Sequence, residues 1–461
     1  MADSIEQTSG PDRGNYALDK ALARQVLLAL DAADIAAIDA LMEPLHPADI
    51  ADLLEQMSYG ERARFLSVWS SGIDGDVLSE LDESLREDVI TLLPVHLVAA
   101  AVRGLDSDDV VDLLEDLEDD QQEAILDALD AVDRAAVQQA LGYREGSAGR
   151  LMQRETVRAP EHWSVGETID YLRSTKDDLP EQFYHVILVD PRMKPLGHVS
   201  LGRLLSTRRD AMLREITEDS FRVMSVGQPE GDVAYAFNQY HLISAPVVDD
   251  VGRLVGVITI DDAMIVLDEQ AEEDLMRLAG VGDSSISDRI LETTKRRLPW
   301  LAVNLVTAIL ASLVIAQFEG TISQFVALAV LMPIVASMGG NAGTQSLTVA
   351  VRALATKDLT GSNLMRVVRR EAGVGLINGL IFATVMGVIG VIWFGSSLLG
   401  MVIAAAMVIN LVIAGLAGIL IPVALDRLKI DPALASGAFV TTVTDVVGFF
   451  AFLGLAAWVL F

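Results

Sequence analysis

The sequence predicts a membrane protein, an all-α bundle of five transmembrane spans behind a cytoplasmic half built from a helical superhelix and an α/β pair. Three observations predict this architecture. Of the 65 acidic residues, 59 precede Pro299; long charge-free apolar runs follow it; and two different internal repeats lie in the acidic half. The net charge of −31 excludes a phosphate-backbone binder, which needs a basic face, so no nucleic-acid partner is expected.

The first third of the chain is predicted to be helical. Residues 1–17 look like a flexible leader, without the basic and apolar regions of a signal peptide. Residues 18–146 carry apolar side chains at three- and four-residue spacing, which is typical of amphipathic helices. The sequence ADLLEQM at 51–57 returns 60 residues later as VDLLEDL. Stacked helical hairpins in a short superhelix account for this repeat.

A second repeat occupies residues 147–268. The pattern VILVD, turn, LGHVS, helix returns 59 residues later, which places Asp190 on Asp249 and Gly197 on Gly256. Strand, turn, strand and helix occurring twice predict a tandem α/β pair. Residues 269–298 are highly charged and are predicted to be a connecting helix between the soluble half and the first span.

The last part, 299–461, is predicted to be the transmembrane domain. Its five spans lie near 299–318, 322–351, 372–394, 398–425 and 433–461. Lys and Arg cluster before span one, between spans two and three, and between spans four and five. Because basic loops stay in the cytoplasm, a multi-pass protein of the cell inner membrane is expected, with a cytoplasmic N-terminal half and an external C-terminus.

Span two contains residues that a lipid-facing helix does not need. Pro333, Gly339, Gly340 and Asn341 lie in its middle. One interpretation is a helix break that lines an aqueous path, because backbone freed at membrane depth must face protein or water. The other is close helix packing at the small-residue pair Gly339 and Gly343. The first interpretation is preferred.

Asp445 is the strongest functional signal, because it is the only ionisable residue in the last 30. An acid at bilayer depth costs roughly 2.5–3.5 kcal/mol on insertion scales and marks a functional site by default. Thr441, Thr442 and Thr444 add hydroxyl oxygens, and Asp431 marks the cytoplasmic mouth of the span. Oxygen ligands suit Mg²⁺ or Ca²⁺ rather than Zn²⁺ or Cu²⁺, and the chain has no cysteine.

One carboxylate per chain is too few to strip the water from Mg²⁺, which dehydrates reluctantly. The sequence therefore indicates a pore that binds a largely hydrated ion, with two subunits around one axis supplying two such carboxylates. Gly375 and Gly379, a GxxxG pair in span three, offer a small-residue surface for that subunit packing.

Three motifs resemble the MgtE family of magnesium channels: PIVASMGGNAGTQ in span two, EGSAGR ahead of the α/β pair, and DPALASG running into TTVTD. The resemblance covers nearly the whole chain in the same order. It implies a helical N domain, tandem CBS domains, a plug-like connecting helix and a homodimeric pore. The positions that would face the hydrated Mg²⁺ are Asp445, Asp431, Asn341 and Thr441.

The resemblance also implies a cytoplasmic Mg²⁺ sensor that favours the closed pore. Acidic residues of the N domain, the second CBS repeat and the connecting helix are its candidate ligands: Asp108, Asp109, Asp112, Asp262, Glu273 and Asp274. The chain departs from the family pattern where other residues replace expected ligands: Pro229, Gly231, His241, Ile265 and Gln270. Fewer sites, weaker affinity or the absence of a steep gate all stay open.

CBS pairs often bind ATP or another adenine nucleotide, and Thr259 with Asp262 matches the usual ribose-contacting pattern. The first repeat has Ser200 and Arg203 at those positions. The six histidines show no metal-ligand spacing. No phosphate-binding P-loop and no nucleophile–base arrangement stands out, so a transporter rather than an enzyme is expected. The alternatives are a broader divalent channel for Mn²⁺, Co²⁺ or Ca²⁺, and a non-conducting membrane-tethered sensor of Mg²⁺ or nucleotide.

Overall fold

The structure of the protein is a computed structural model that describes residues 20–460, except 116, 118, 130, 177–178, 181, 219–220 and 282–289. The predicted leader, residues 1–17, therefore lies outside the described residues. The chain divides into two compact units, Met1–Leu267 and Asp268–Phe461. The first unit contains the N-terminal helices and both α/β repeats, and the second contains the apolar helices.

Among the described residues, ten α-helices form the N-terminal part of the first unit. They are α1 (Lys20–Asp31), α2 (Ile35–Met42), α3 (Pro47–Gln56), α4 (Tyr59–Trp69), α5 (Gly75–Ser79), α6 (Glu83–Leu92), α7 (Val95–Val102), α8 (Ser107–Glu115), α9 (Asp119–Ala128) and α10 (Ala131–Leu141). Pro47 occupies the first position of α3 and Pro94 precedes α7, where a fixed φ and a missing N–H are tolerated. Their apolar faces share one core cluster.

The 60-residue repeat is confirmed by equivalent contacts in its two copies. Arg62 Nη2 donates to the Met57 carbonyl at 3.1 Å, and Gln122 Nε2 donates to the Leu117 carbonyl at 2.9 Å. Each donor thus satisfies a carbonyl just beyond the end of the preceding helix, a group that the helix itself leaves without a partner. The paired leucines of both copies are buried.

Two small sheets of identical topology follow, confirming the α/β pair. The elements are α11 (Ala148–Leu151), β1 (Arg158–Pro160), α12 (Val165–Ser174), β2 (His185–Val189), β3 (Pro195–Ser200), α13 (Leu201–Ser206), β4 (Met224–Ser225), α14 (Glu230–Tyr240), β5 (Ser244–Val248), β6 (Leu254–Thr259) and α15 (Ile260–Leu278). In each sheet a parallel pair is joined to an antiparallel one. Gly197 lies opposite Leu188, and Gly256 lies opposite Val247, so the offset of 59 is kept in register.

The second unit contains the membrane helices. They are α16 (Ile290–Gln317), α17 (Glu319–Gln324), α18 (Ala327–Ala355), α19 (Leu364–Phe394), α20 (Ser397–Arg427) and α21 (Pro432–Leu460). Among the described residues, five helices are long and apolar enough to span a membrane, as predicted. The central one is α20, which packs against α18, α19 and α21. In its most apolar stretch 56% of the residues are buried, against 6% in the first span. The first span therefore exposes its surface to lipid or to another chain.

Residues 279–281 interrupt the connecting helix that is predicted over residues 269–298. Helix α15 ends inside that segment because Gly280 takes a positive φ of 69° and the Val281 N–H donates back to the Met276 carbonyl at 3.0 Å. This left-handed ending is a common helix terminator that favours glycine. A second helix, α16, then leads into the first span. Residues 282–289, between the two helices, lie outside the described residues.

The predicted break in span two is absent, because α18 is one continuous helix through Pro333, Gly339 and Gly340. The packing interpretation is the one that the structure shows. A Cβ at Gly339 would collide with the side chain of Asn410, and one at Gly343 would lie 2.6 Å from Val440 Cγ1. The absent side chains thus let α20 and α21 approach α18 closely, as small residues do in membrane bundles.

The GxxxG pair of span three also packs within the chain, which corrects the prediction that it faces a second subunit. A Cβ on Gly375 would lie 2.7 Å from the Leu411 carbonyl oxygen, and one on Gly379 would lie 3.0 Å from Val408 Cα. Both positions are therefore occupied by the backbone of α20, the neighbouring helix. The pattern correctly indicated close packing, but it contains no information about which helix is the partner.

Candidate functional site

Asp445 lies near the middle of α21 and is partly exposed in the single chain. Within the described part of the chain, no hydrogen bond or ion pair holds its carboxylate. The neighbouring hydroxyls of Thr441, Thr442 and Thr444 donate to carbonyls of their own helix at 2.5–3.1 Å. Because each hydroxyl gives its proton to the backbone, its oxygen lone pairs remain available as acceptors.

Asp431 precedes α21 and is engaged by two groups. Its Oδ1 accepts from the Ala433 N–H at 2.8 Å, and its Oδ2 accepts from Arg277 Nη1 at 2.9 Å. Arg277 also pairs with Glu273, the residue one turn earlier in α15. Asp274 is half-buried, and its pKa is raised by burial and by the negative charge of Asp431. Arg277 thus joins one predicted sensor residue, Glu273, to the predicted pore-mouth residue Asp431, and Asp274 lies within the electrostatic influence of Asp431.

Two predicted pore residues of span two, Asn341 and Gly340, are not covered by other side chains in the single chain. Asn341 is exposed, and its Nδ2 lies 3.4 Å from Ser337 Oγ. A Cβ added to Gly340 would meet nothing within 4 Å. Pro333 lies in the second turn of α18, where the lost N–H removes one intrahelical bond. Their place along a pore stays a prediction.

Sequence reasoning missed Glu371, which stands at the edge of a charge-free run and resembles a loop charge. Its side chain is buried, with only 8% of the residue exposed. The Ser346 hydroxyl donates to its Oε2 at 2.9 Å, and Arg370 Nη2 donates to its Oε1 at 3.0 Å. Ser346 and Glu371 line a small cavity together with Gln345 and Asn378. A polar residue directly abutting an apolar span was the signal to follow.

Asn410 is the second residue that was missed, although it is the one amide inside the apolar stretch that forms α20. It is fully buried, and its Nδ2 donates to the Val335 carbonyl at 2.8 Å. Gly339 and Gly448 flank it from α18 and α21, since a Cβ on either would collide with its side chain. Asn410 therefore joins three spans at one point.

A separate acidic cluster forms in the first unit, where α8 and α15 begin. Burial raises the pKa of Asp109 to about 6 and that of Asp262 to about 7. The pKa of Asp108 is raised well above its usual range, mainly by burial and then by the Asp262 charge. Asp112, a fourth predicted ligand, pairs instead with Arg86, whose Nη1 lies 2.8 Å from its Oδ2. Three of the predicted sensor acids therefore come together.

Further acids that were not predicted act on this cluster. The charge of Asp106 raises the pKa of Asp108 and Asp109, and the charge of Asp261 raises that of Asp109 and Asp262. A divalent cation stabilises the ionised form of crowded carboxylates, because it supplies positive charge and binds oxygen ligands. The cluster can therefore serve as a Mg²⁺-responsive surface.

A cleft between the two α/β repeats contains the predicted nucleotide residue Thr259. Its hydroxyl donates to Asp262 Oδ2 at 2.7 Å, so the two residues of the predicted pattern are held together. Glu155, Tyr184 and His185 are among the other residues that line the cleft. Thr259 itself is buried at the end of β6.

Three family models match the chain. One described as a divalent cation transporter matches residues 332–455, one described as the MgtE intracellular N domain matches 45–146, and the CBS domain matches 213–269. A protein of Thermus thermophilus named magnesium transporter MgtE is 31% identical over 448 residues, covering 95% of this chain and 98% of the relative. The chain belongs to the MgtE family.

Two further relatives carry the same name. That of Enterococcus faecalis is 35% identical over 70% of this chain and 71% of its own length. That of Bacillus subtilis is 29% identical over 96% of this chain and 98% of its own length. Five apolar helices in an MgtE-family chain establish a multi-pass membrane protein with a cytoplasmic N-terminal domain.

Proposed function

We propose that this MgtE-family chain is a magnesium channel that passes hydrated Mg²⁺ into the cytoplasm as a homodimer. The relatives named magnesium transporter support the ion, since they extend over nearly the whole chain. The structural observation that carries the proposal is Asp445, a carboxylate without a partner among the described residues in the middle of a span. A site for a passing cation explains why so costly a group stays there.

This chemistry requires the carboxylate of a second copy of the chain. One carboxylate cannot replace the waters of Mg²⁺, whereas two carboxylates facing each other would hold a hydrated ion through its water shell. Asp445, Asn341 and Gly340 are all at least partly open in the single chain, as residues that face a shared axis would be. The membrane potential would drive entry, contributing roughly 4.6 kcal/mol per 100 mV for a doubly charged ion.

The expected setting is the cell inner membrane, with the C-terminus outside. The basic loops support this orientation, because Lys and Arg are retained on the cytoplasmic side. The acidic cluster of Asp108, Asp109 and Asp262 then lies in the cytoplasm, where Mg²⁺ bound among its carboxylates would favour the closed pore. The raised pKa values support this role, because the cluster lacks enough positive charge of its own.

Mg²⁺ flux into liposomes that contain the purified full-length protein tests the channel. Asp445→Asn keeps the shape of the side chain but removes its charge, and we expect it to lose most of the flux. Asp426→Asn, at an exposed acid near the end of α20, is the matched control and should conduct like wild type. Wild-type flux through Asp445→Asn would contradict the proposed role of Asp445.

The same assay separates the alternatives. The family description as a divalent cation transporter favours testing Mn²⁺, Co²⁺ and Ca²⁺ beside Mg²⁺. Comparable flux of all four ions would identify a broader divalent channel. No flux of any ion through the wild-type protein would favour a non-conducting sensor.

We also propose that the cleft beside Thr259 binds an adenine nucleotide such as ATP. Thr259 lines this cleft, and its hydrogen bond to Asp262 holds together the two residues of the predicted ribose-contacting pattern, which supports the proposal. Binding of ATP to the purified protein, lost in Asp262→Ala and kept in Asp250→Ala, would support the site. Equal binding by both variants would contradict it.

A further inference from the structure

Three side chains with metal-binding atoms meet in the first α/β repeat, away from the proposed pore. His185 lies on β2, His198 on β3, and Glu218 on the segment before β4. One ligand atom from each lies within 4.8 Å of the others, and this is the one such group found in the described part of the chain. Sequence spacing did not indicate it. Pairing of β2 with β3 sets His198 opposite Ile187, so His185 becomes its diagonal neighbour on the same face.

The buried ring of His198 has an unsatisfied nitrogen that a metal ion would bind. The residue is 5% exposed, and its Nε2 is buried without a hydrogen-bond partner. Glu218 Oε2 lies 4.0 Å away, too far for a hydrogen bond. A buried nitrogen left unpaired costs about 1–3 kcal/mol. Two ligands of a tetrahedral zinc ion, each about 2.0–2.1 Å from the metal, lie roughly 3.3 Å apart, so small side-chain shifts would bring both into range.

Hydrogen bonds orient two of the three proposed ligands. Ser244 Oγ lies 2.7 Å from His185 Nδ1 and fixes that ring, while the Ser200 N–H donates to Glu218 Oε1 at 3.0 Å. Burial lowers the pKa of His185 to about 4 and also lowers the pKa of His198. Neutral imidazole is the form that binds a metal.

The second repeat lacks this group, because the offset of 59 places Ser244 and Val257 at the positions of the two histidines. The site is therefore a property of the first repeat and not of the shared fold. It also differs from the acidic cluster and from Asp445, which offer only oxygen. Two imidazoles with one carboxylate suit zinc and its first-row neighbours, whereas Mg²⁺ prefers oxygen ligands.

We propose that His185, His198 and Glu218 bind one zinc-class transition-metal ion in the first α/β repeat, beside the cleft that His185 also lines. Three protein ligands leave a fourth position open, as in zinc sites that are not purely structural. The ion joins β2, β3 and the segment that leads to β4, so it stabilises the α/β pair. This places a transition-metal site in the cytoplasmic half that is separate from the transported ion.

The test uses full-length, tag-free protein in detergent, with Zn²⁺ titrated against a chromogenic chelator in millimolar Mg²⁺. We expect one Zn²⁺ per chain, undisturbed by Mg²⁺, and at least tenfold weaker binding in Glu218→Gln. That variant keeps an acceptor for the Ser200 N–H, so folding is preserved. Co²⁺ in place of Zn²⁺ should give the visible absorption of a tetrahedral site.

His198→Gln provides a second variant, with thermal melting to confirm that it folds. His162→Gln, at an exposed histidine of the same repeat, is the matched control and should bind Zn²⁺ like wild type. Absence of Zn²⁺ binding in the wild type, or equal binding by wild type, Glu218→Gln and His198→Gln, would overturn the proposal. Neither result depends on Mg²⁺ transport, which the flux assay measures separately.

Discussion

Arg277 on α15 donates from Nη1 to Asp431 Oδ2 at 2.9 Å, which ties the helix that follows the second α/β repeat to the residue preceding the last span. The same guanidinium pairs with Glu273, and Asp274 lies within the electrostatic influence of Asp431. Arg277 therefore pairs with two of these three acids. Because α21 also carries Asp445, we expect this contact to couple α15 to the proposed ion site.

Removing that arginine should weaken closure. In Arg277→Met, Asp431 and Asp274 face each other without the cation, so the elements repel. A partly exposed pair contributes about 0.5–1 kcal/mol, which corresponds to roughly a two- to fivefold shift toward the conducting state. We expect that increase in liposome flux at millimolar cytoplasmic Mg²⁺, with Arg277→Lys intermediate. An unchanged flux would show that the ion pair does not couple to the gate.

Adjacent glycines of α18 should respond differently to an added side chain. Gly339→Ala drives a methyl group into Asn410, so it should destabilise the folded bundle by about 1–3 kcal/mol. Gly340→Val meets nothing in the single chain and should fold normally, yet block flux if Gly340 lines the pathway. Thermal melting in detergent and liposome flux separate these effects. Normal flux through a folded Gly340→Val would remove Gly340 from the pathway.

The acidic cluster should make stability and Mg²⁺ binding depend on pH. The pKa values of Asp109 (about 6) and Asp262 (about 7) lie above the ordinary value of 3.8. Between the ordinary pKa and these raised values, the folded protein therefore binds more protons than the unfolded chain. Without divalent ions, stability should therefore rise as pH falls from about 7 toward 4. Protons compete with Mg²⁺, so Mg²⁺ binding should weaken over the same interval.

Limited proteolysis of the full-length protein measures both effects. At pH 7.5, millimolar Mg²⁺ should protect the cytoplasmic half, and at pH 6 that protection should shrink. The variant that combines Asp109→Asn with Asp262→Asn should lose the dependence on pH and on Mg²⁺, whereas Asp232→Asn, at an acid outside the cluster, should keep both. A rate of wild-type proteolysis that does not change with Mg²⁺ would argue against gating through this cluster.

Glu371 should matter for the stability of the membrane unit. Glu371→Ala leaves the buried Ser346 hydroxyl without its 2.9 Å acceptor and creates a cavity, so we expect destabilisation by about 1–3 kcal/mol. Glu371→Gln retains an acceptor and should lose less. Glu319→Ala, at an exposed acid between spans, should be neutral. Melting temperatures in detergent rank the three variants, and equal values for all would show that the buried acid does not stabilise the bundle.

The sequence by itself determined the order of the domains, both repeats and the five spans. Helix and strand periodicity and long charge-free runs are local properties, readable over 10–30 residues without knowledge of distant contacts. Asp445 was found in the same way, because a lone acid in an apolar run needs no neighbour to be noticed. The end of the predicted connecting helix at Gly280 was also encoded locally, although the charged residues around it concealed that signal.

Only the tertiary structure decided which side chains meet. Gly375 and Gly379 pack on α20 rather than on a second subunit, since a small-residue pattern predicts close approach but not the approaching helix. His185 and His198 became neighbours through the pairing of β2 with β3, and Glu218 joined them from the segment beyond. Such meetings depend on register and on packing between distant elements, which the spacing of residues along one chain does not encode.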